Sequence, residues 1–156
     1  MEPELTQFDI EQIKSVISLA EHSKTLGGKP FAAILAFEGN VVHSSYDKRI
    51  ENCDPTSHAE LCVISEYCRS TNNQFLDNYT LYTSTEPCSM CSGAIRSARI
   101  LRVVFSVSQT TLQQISGGKL KSSCRDILTL SRKNVIVTGP VLEELGILIF
   151  ENYSFH

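Results

Sequence analysis

The sequence predicts an α/β fold on three observations: an amphipathic helical pattern near the start, two short apolar runs joined by a hairpin turn, and then an alternation of strand, helix, strand, helix and strand. From about Asp9 to Thr25, Ile10, Ile13, Ile17 and Ala20 recur on one helical face, and Gly27-Gly28 ends the pattern. Phe31 to Phe37 and Val41 to Tyr46 are strand-like. Glu38-Gly39-Asn40 between them supplies turn residues, so the two strands are expected to pair antiparallel. Asp47 to Thr56 is polar and contains Pro55, which predicts a loop, and Ser57 to about Arg69 has a helical composition with Thr56 or Ser57 as its cap. After a second loop at Ser70 to Asn78, Thr80 to Thr83 reads as a short strand, Pro87 opens a helix, and Leu101 to Val107 is again a strand. The pattern weakens from Ser108 through Gly117-Gly118. It recovers as a short helix near Cys124 to Leu130, a strand at Val135 to Val137 and a helix from about Val141. Strands alternating with helices imply parallel crossovers, with helices covering a sheet that is entered by an antiparallel hairpin.

A chain of 156 residues with 42% hydrophobic content supports one substantial core and is too short for two ordinary domains, so a single domain over residues 1–156 is expected. No stretch approaches the roughly 20 unbroken apolar residues of a membrane span. Met1-Glu2-Pro3-Glu4 is acidic where a secretory signal is basic, and a cytoplasmic protein with no membrane partner is expected. A formal charge of −3 disfavours affinity that rests on neutralising many phosphates. Arg96, Arg99 and Arg102 recur at helical spacing, and Lys119, Lys121, Arg125, Arg132 and Lys133 cluster later. Ordinary solvated charges are the expectation for both groups, with a local nucleic-acid patch as the less favoured reading.

Six cysteines suggest a disulfide framework only in a secreted, loop-rich chain. Here Cys88 and Cys91 form a close pair, whereas Cys53, Cys62, Cys68 and Cys124 show no second C-x-x-C spacing. The informative residues fall in two pieces, Pro55-Thr56-Ser57-His58-Ala59-Glu60 and Glu86-Pro87-Cys88-Ser89-Met90-Cys91, each starting a helix just after a loop. Positions three apart share a helical face, so Cys88 and Cys91 are able to present both sulfurs to one ion, with His58 as a third ligand. Three protein ligands leave one tetrahedral position open, the mark of a catalytic zinc site, and zinc lowers the pKa of a water there toward about 7. The two helix N-termini favour thiolate at both cysteines. A carboxylate beside that water is able to relay protons, and Glu60 is the candidate. Residues two apart diverge on an ideal helix, so the arrangement requires His58 to sit at the helix entrance.

Competing readings are weaker. A redox pair explains Cys88 and Cys91 but neither His58 nor Glu60. A closed structural zinc would need Cys62, four residues past His58, yet its neighbours Leu61, Val63 and Ile64 make it a small buried hydrophobe. Structural or solvated roles are expected for Cys53, His22, His43 and His156.

The two pieces match the H-x-E…P-C-x-x-C signature of the cytidine deaminase superfamily. The resemblance extends to Gly28-Lys29-Pro30-Phe31, Asp54-Pro55-Thr56, Leu81-Tyr82-Thr83 and Gly93-Ala94-Ile95, and looks closest to the branch holding guanine deaminases and transfer-RNA adenosine deaminases. Pro30-Phe31-Ala32-Ala33 is more like the guanine deaminase side. Gly139-Pro140-Val141-Leu142-Glu143-Glu144 with Tyr153 and Phe155 resembles uncharacterised nucleoside deaminases. The resemblance implies a three-layer α/β/α sandwich around a five-stranded mixed sheet, one zinc ion per chain on His58, Cys88 and Cys91, Glu60 as general acid/base, and a homodimer. It implies hydrolytic deamination of a purine-like nucleobase or nucleoside with release of ammonia. Adenosine within transfer RNA and a catalytically silent, zinc-stabilised partner subunit are the alternatives. Candidate substrate contacts are Asp47, the backbone N–H of Ala59, Phe31 and Phe155. Many members of the branch carry an asparagine where this chain has Asp47. An ionised aspartate only accepts hydrogen bonds, which favours a donor-rich ring edge and weighs against guanine.

Overall fold

Thr6 and Asp9 start the first helix by capping each other. The Thr6 hydroxyl accepts from the Asp9 amide at 3.1 Å, and the Asp9 carboxylate accepts from the Thr6 amide at 2.8 Å. The helix (α1) runs Gln7–Thr25 and buries Ile13, Val16, Ile17 and Ala20, while Ile10 is half-buried at its edge. The computed structural model describes residues 3–119 and 122–155; Lys121 and His156 lie outside the described residues.

Strands β1 (Ala32–Phe37) and β2 (Asn40–Tyr46) form the expected antiparallel hairpin. Glu38 and Gly39 both take positive φ, 47° and 73°, as a two-residue turn matched to strand twist requires. A short helix α2 (Arg49–Asn52) then interrupts the polar segment expected to be loop throughout. Helix α3 (Ala59–Thr71) follows, capped not by Thr56 or Ser57 but by His58, whose φ of −64° and ψ of 154° are extended. Strand β3 (Tyr79–Thr85) runs two residues beyond the expected Thr83, because Ser84 hydrogen-bonds the neighbouring strand. Its hydroxyl accepts from the Ala32 amide at 3.0 Å, so a polar sequence continues the sheet. Helix α4 (Ser89–Ser97) starts two residues after Pro87, with Cys88 in the extended cap position.

Strand β4 (Arg102–Val107) is followed by a helix the sequence pattern did not predict, α5 (Gln109–Ser116). Its apolar residues are few, and its definition comes from its ends: Ser108 caps the start by accepting from the Thr111 amide at 3.1 Å, and Gly117 closes it at φ 69°. Then come α6 (Cys124–Leu128), β5 (Ile136–Thr138), α7 (Glu143–Gly146) and a 3-10 turn over Ile147–Phe150, in place of one continuous helix from Val141.

The strands form one five-stranded mixed sheet in the order β2-β1-β3-β4-β5, with β1 antiparallel to β2 and β3, and β3, β4 and β5 parallel. Each face carries its own core. Ile13, Val16, Ile17 and Ala20 of α1 pack with Ile34, Tyr82 and Val104 on one face. Ala59 and Val63 of α3, Ile95 of α4 and Leu128 of α6 pack with Leu35, Leu81 and Val103 on the other. The architecture is therefore a three-layer α/β/α sandwich. No helix among the described residues is long and apolar enough to cross a membrane.

The C-terminal segment returns to the α1 face. Lys24 Nζ donates to the Ile149 carbonyl at 2.8 Å, and Gly146 packs so closely on Ser106 and Val107 that a Cβ there would meet Val107 Cγ2 at 2.7 Å. The basic residues singled out in the sequence are largely occupied: Arg99 lies 3.6 Å over the Phe75 ring, and Arg125 donates to the Val137 carbonyl at 3.1 Å.

One buried cluster ties α1 to the sheet. Asp9, 1% exposed, accepts from Tyr82 Oη at 2.6 Å and from Arg102 Nη1 and Nη2 at 2.7 and 2.9 Å. Burial works against its charge, but hydrogen bonds from Arg102, Tyr82 and Thr6 outweigh burial and hold its carboxyl well below the usual carboxylate range. Replacing Asp9 by Ala strands a half-buried guanidinium and is expected to cost about 3 kcal/mol in urea unfolding at neutral pH. Because the folded pKa lies below the unfolded value, that advantage of the wild type is fully present above about pH 4 and is lost as pH falls further. A wild-type advantage that instead grew on acidification would contradict the assignment.

Candidate active site

The two informative pieces of sequence meet at the starts of α3 and α4. His58 and Cys88 are the N-cap residues of the two helices, Cys91 lies one turn into α4, and Glu60 is the second residue of α3. His58 therefore occupies the helix entrance, as the arrangement required. His58 Nδ1 and Cys88 Sγ are 3.6 Å apart, and the donor atoms of His58, Cys88 and Cys91 all lie within 4.8 Å of one another. Tetrahedral zinc with metal–sulfur and metal–nitrogen distances of about 2.3 and 2.0 Å separates such a pair by roughly 3.5 Å, so this donor set fits the ion. Among the described residues, this group is a histidine and two cysteines; Cys62 is buried elsewhere on α3 and does not join it.

Electrostatics agree with cation binding. The hydrogen bond from Cys91, with a further one from His58, holds the Cys88 thiol down at about 3. Cys91 is pushed up by the same hydrogen bond and by its own burial, so one proton remains on the pair until a cation displaces it. Glu60 is 8% exposed, and burial raises its carboxyl to about 7. Its Oε2 accepts from Cys91 Sγ at 3.5 Å, which puts a carboxyl able to carry a proton beside the three donors.

A cavity of about 240 Å³ opens on this cluster and is lined by His58, Glu60 and Cys88 together with Phe31, Asp47 and Phe155. Phe31 and Phe155 both pack on Phe150, with ring centroids 5.9 and 5.6 Å away, and Tyr153 meets Phe155 edge-on at 5.0 Å. The chain's own C-terminal aromatics thus form one wall of its own cavity. Ala59 is fully buried, and its amide stands in the first turn of α3, where N–H groups lack intrahelical partners.

Asp47 reaches the cavity in a different state from the bare acceptor expected. Its Oδ2 accepts from Arg49 Nε at 2.8 Å and lies 2.7 Å from Nη2, while Oδ1 accepts from the Arg49 amide at 3.1 Å. It faces the cavity as half of an ion pair. Arg49 itself lines the cavity and went unrecognised in the sequence; the local signal was an aspartate positioned to accept from the amide two residues on. Lys29, Thr85, Gln109 and Leu112 also line it without having been singled out for that role.

Glu86 carries no sequence signal for its role, because its partners are distant in the chain. Its Oε2 accepts from the Gln109 amide and its Oε1 from the Cys124 amide and the Ser123 hydroxyl, each at 2.9 Å. Burial opposes its charge, but these hydrogen bonds prevail and hold its carboxyl below the usual range. One carboxylate two residues before Cys88 thereby ties the starts of α5 and α6 to the metal-donor loop.

A three-layer sandwich with two cysteines, a histidine and a proton-carrying carboxylate at paired helix starts defines a zinc-dependent hydrolase of the deaminase class, acting on the C–N bonds of cyclic amidines. Residues 6–107 match the cytidine and deoxycytidylate deaminase zinc-binding region, and the chain belongs to that family. It is 33% identical to a probable cytosine deaminase of Schizosaccharomyces pombe over 93% of this chain and 91% of that one. It is 36% identical to a tRNA-specific adenosine deaminase of Haemophilus influenzae over 66% of this chain and 60% of the relative, and 35% identical to a guanine deaminase of Bacillus subtilis over 63% and 64%. A solved guanine deaminase from Nitrosomonas europaea shares the fold, with a TM-score of 0.82 at 20% identity over 98% of this chain and 87% of that one.

Glu86→Gln keeps the shape but turns an amide N–H₂ toward existing donors. It is expected to lower stability by about 2 kcal/mol in chemical denaturation and to speed hydrogen exchange at the Gln109 and Cys124 amides. Unchanged exchange at both amides would show that the carboxylate is not the tie.

Proposed function

We propose that this protein is a hydrolytic deaminase of a purine-like nucleobase, similar in substrate class to guanine deaminases, with His58, Cys88 and Cys91 as zinc ligands and Glu60 as general acid/base. The observation that carries the choice of a small free ring is the cavity. At about 240 Å³ it is smaller than the roughly 300–1,000 Å³ of drug-sized sites, and Tyr153 and Phe155 of the same chain line it. The guanine deaminase relative of Bacillus subtilis supports the same reading.

Zinc, when bound, supplies a Lewis acid that lowers the pKa of a coordinated water toward neutrality. The remaining work falls to this chain's own side chains. Phe31 and Phe155 present ring faces on which a planar heterocycle stacks. The Ala59 N–H and the wall around Asp47 orient its edge. Glu60, buried and with a carboxyl raised to about 7, accepts a proton as the water oxygen adds to the amino-bearing carbon and passes it to the ring nitrogen, then takes the proton left on the added hydroxyl and delivers it to the departing amine. Water adds, the C–N bond breaks, ammonia leaves, and the water's oxygen stays on the ring carbon as a new carbonyl. A homodimer belongs to the same reading, supported by the exposed apolar side chains of Ile50 on α2 and Met90 on α4, beside the site.

A second reading, deamination of adenosine in transfer RNA, is favoured by a separate cavity of about 470 Å³ lined by Arg96, Arg99, Arg132 and Lys133. Lys133 lies 3.2 Å from Asp77 and Arg99 3.7 Å, which takes up part of that charge. Ammonia release from free bases, with no inosine formed in transfer RNA and no salt-sensitive RNA binding, removes this reading.

Glu60→Ala is expected to keep a full complement of zinc by elemental analysis while turnover falls about 10²- to 10⁴-fold. Full activity in that variant sinks the mechanism. His58→Ala and Cys88→Ser are expected to lose zinc and activity together, and a variant of either that retained stoichiometric metal would remove that residue from the ligand set.

A further inference from the structure

The polar wall of the cavity includes a cation with hydrogen-bonding capacity to spare. Arg49 is anchored on several sides. Its amide, Nε and Nη2 engage Asp47, and its guanidinium carbon stands 5.8 Å from the centroid of the Phe31 ring. The Arg49 carbonyl accepts from the Asp54 amide at 3.1 Å, and the neighbouring Lys48 amide donates to the Ser57 carbonyl at 3.0 Å, which ties the segment to the loop that delivers His58. A guanidinium carries five N–H donors in a planar fork. Asp47 takes up the Nε and Nη2 edge, and Nη1 has no hydrogen-bond partner among the described residues. The side chain is 23% exposed and lines the cavity, so those remaining donors are both held in place and accessible.

The chemistry of the pair decides what it binds. Asp47 neutralises Arg49, which weakens any pull on a phosphate and leaves a directional donor suited to an uncharged acceptor. A 2-amino-6-oxopurine offers two acceptors on one edge, the C6 oxygen and N7, and arginine pairs with both in the commonest specific guanine contact known. Adenine presents a donor, its amino group, in place of that oxygen, and would set donor against donor. We propose that Arg49 is a specificity-determining residue that reads the C6 oxygen and N7 edge of the ring, with Asp47 as the positioning residue that orients it. The inference rests on the deaminase reading above and reverses the substrate preference that an unpaired Asp47 would impose.

The test compares zinc-loaded wild type, Arg49→Gln and Arg49→Lys on guanine and on 2-aminopurine, which keeps the C2 amino group and lacks the C6 oxygen. Because intrinsic reactivity cancels between enzymes, the informative quantity is the ratio of the two kcat/KM values. Arg49→Gln is expected to lower that ratio by roughly ten- to a hundredfold, chiefly through guanine because 2-aminopurine loses only the N7 contact, and Arg49→Lys to restore part of it. A variant that slows both substrates by the same factor, or leaves the ratio unchanged, overturns the inference while the deaminase reading stands. If Arg49→Gln does not fold, Arg49→Lys carries the same comparison, with the ratio expected to fall. Ammonia release from adenosine but not from guanine also overturns the role of Arg49, whereas no release from any purine overturns the reading it rests on, and the inference with it.

Discussion

The site depends on one backbone constraint: His58 and Cys88 are both cap residues, with extended φ and ψ, at the starts of two helices that meet. A cap residue turns its side chain off the end of the helix axis and not along its flank, and this allows His58 and Glu60, two residues apart, to serve one small volume. The same placement puts two sets of backbone N–H groups without intrahelical partners, and two positive helix ends, around the two cysteine sulfurs.

Two buried carboxylates stabilise that geometry from outside it. Asp9 joins α1 to β3 and β4 through Tyr82 and Arg102, and Glu86 joins the loop before α4 to α5 and α6. In both cases hydrogen bonds outweigh the cost of burying charge, so the carboxylate stays ionised in the interior. Glu60 lies on the other side of this balance. It is buried with too few donors to hold its charge, and its carboxyl rises to about 7, where a proton is readily taken and given. Three buried acids thus differ in how readily they ionise because of how many N–H and O–H groups face them.

The cavity wall shows how pairing alters chemistry. Asp47 alone would accept from a donor-rich ring; joined to Arg49, it becomes the support for a donor. The aromatic side of the cavity is likewise assembled at a distance, from Phe31 before β1 and from Tyr153 and Phe155 at the far end of the chain, with Phe150 between them.

The α/β class, the hairpin, the order of strands and helices up to β4 apart from α2, and the grouping of His58, Glu60, Cys88 and Cys91 were legible in the sequence, because each rests on local periodicity, turn chemistry or spacing within short segments. Helix α5 was not legible, since it is defined by Ser108 and Gly117 at its ends and has little apolar periodicity between them. The continuation of β3 through Ser84 was hidden for a related reason: its polar side chain is satisfied by a strand 52 residues away. By itself, the sequence determined which atoms are available to bind a metal and move a proton. Only the tertiary structure decided which of the polar groups around them are already spent on one another, as Asp47 and Glu86 are, and which, as at Arg49 in the cavity wall, keep donors to spare. Those partnerships form between segments brought together by folding, and no local pattern records them.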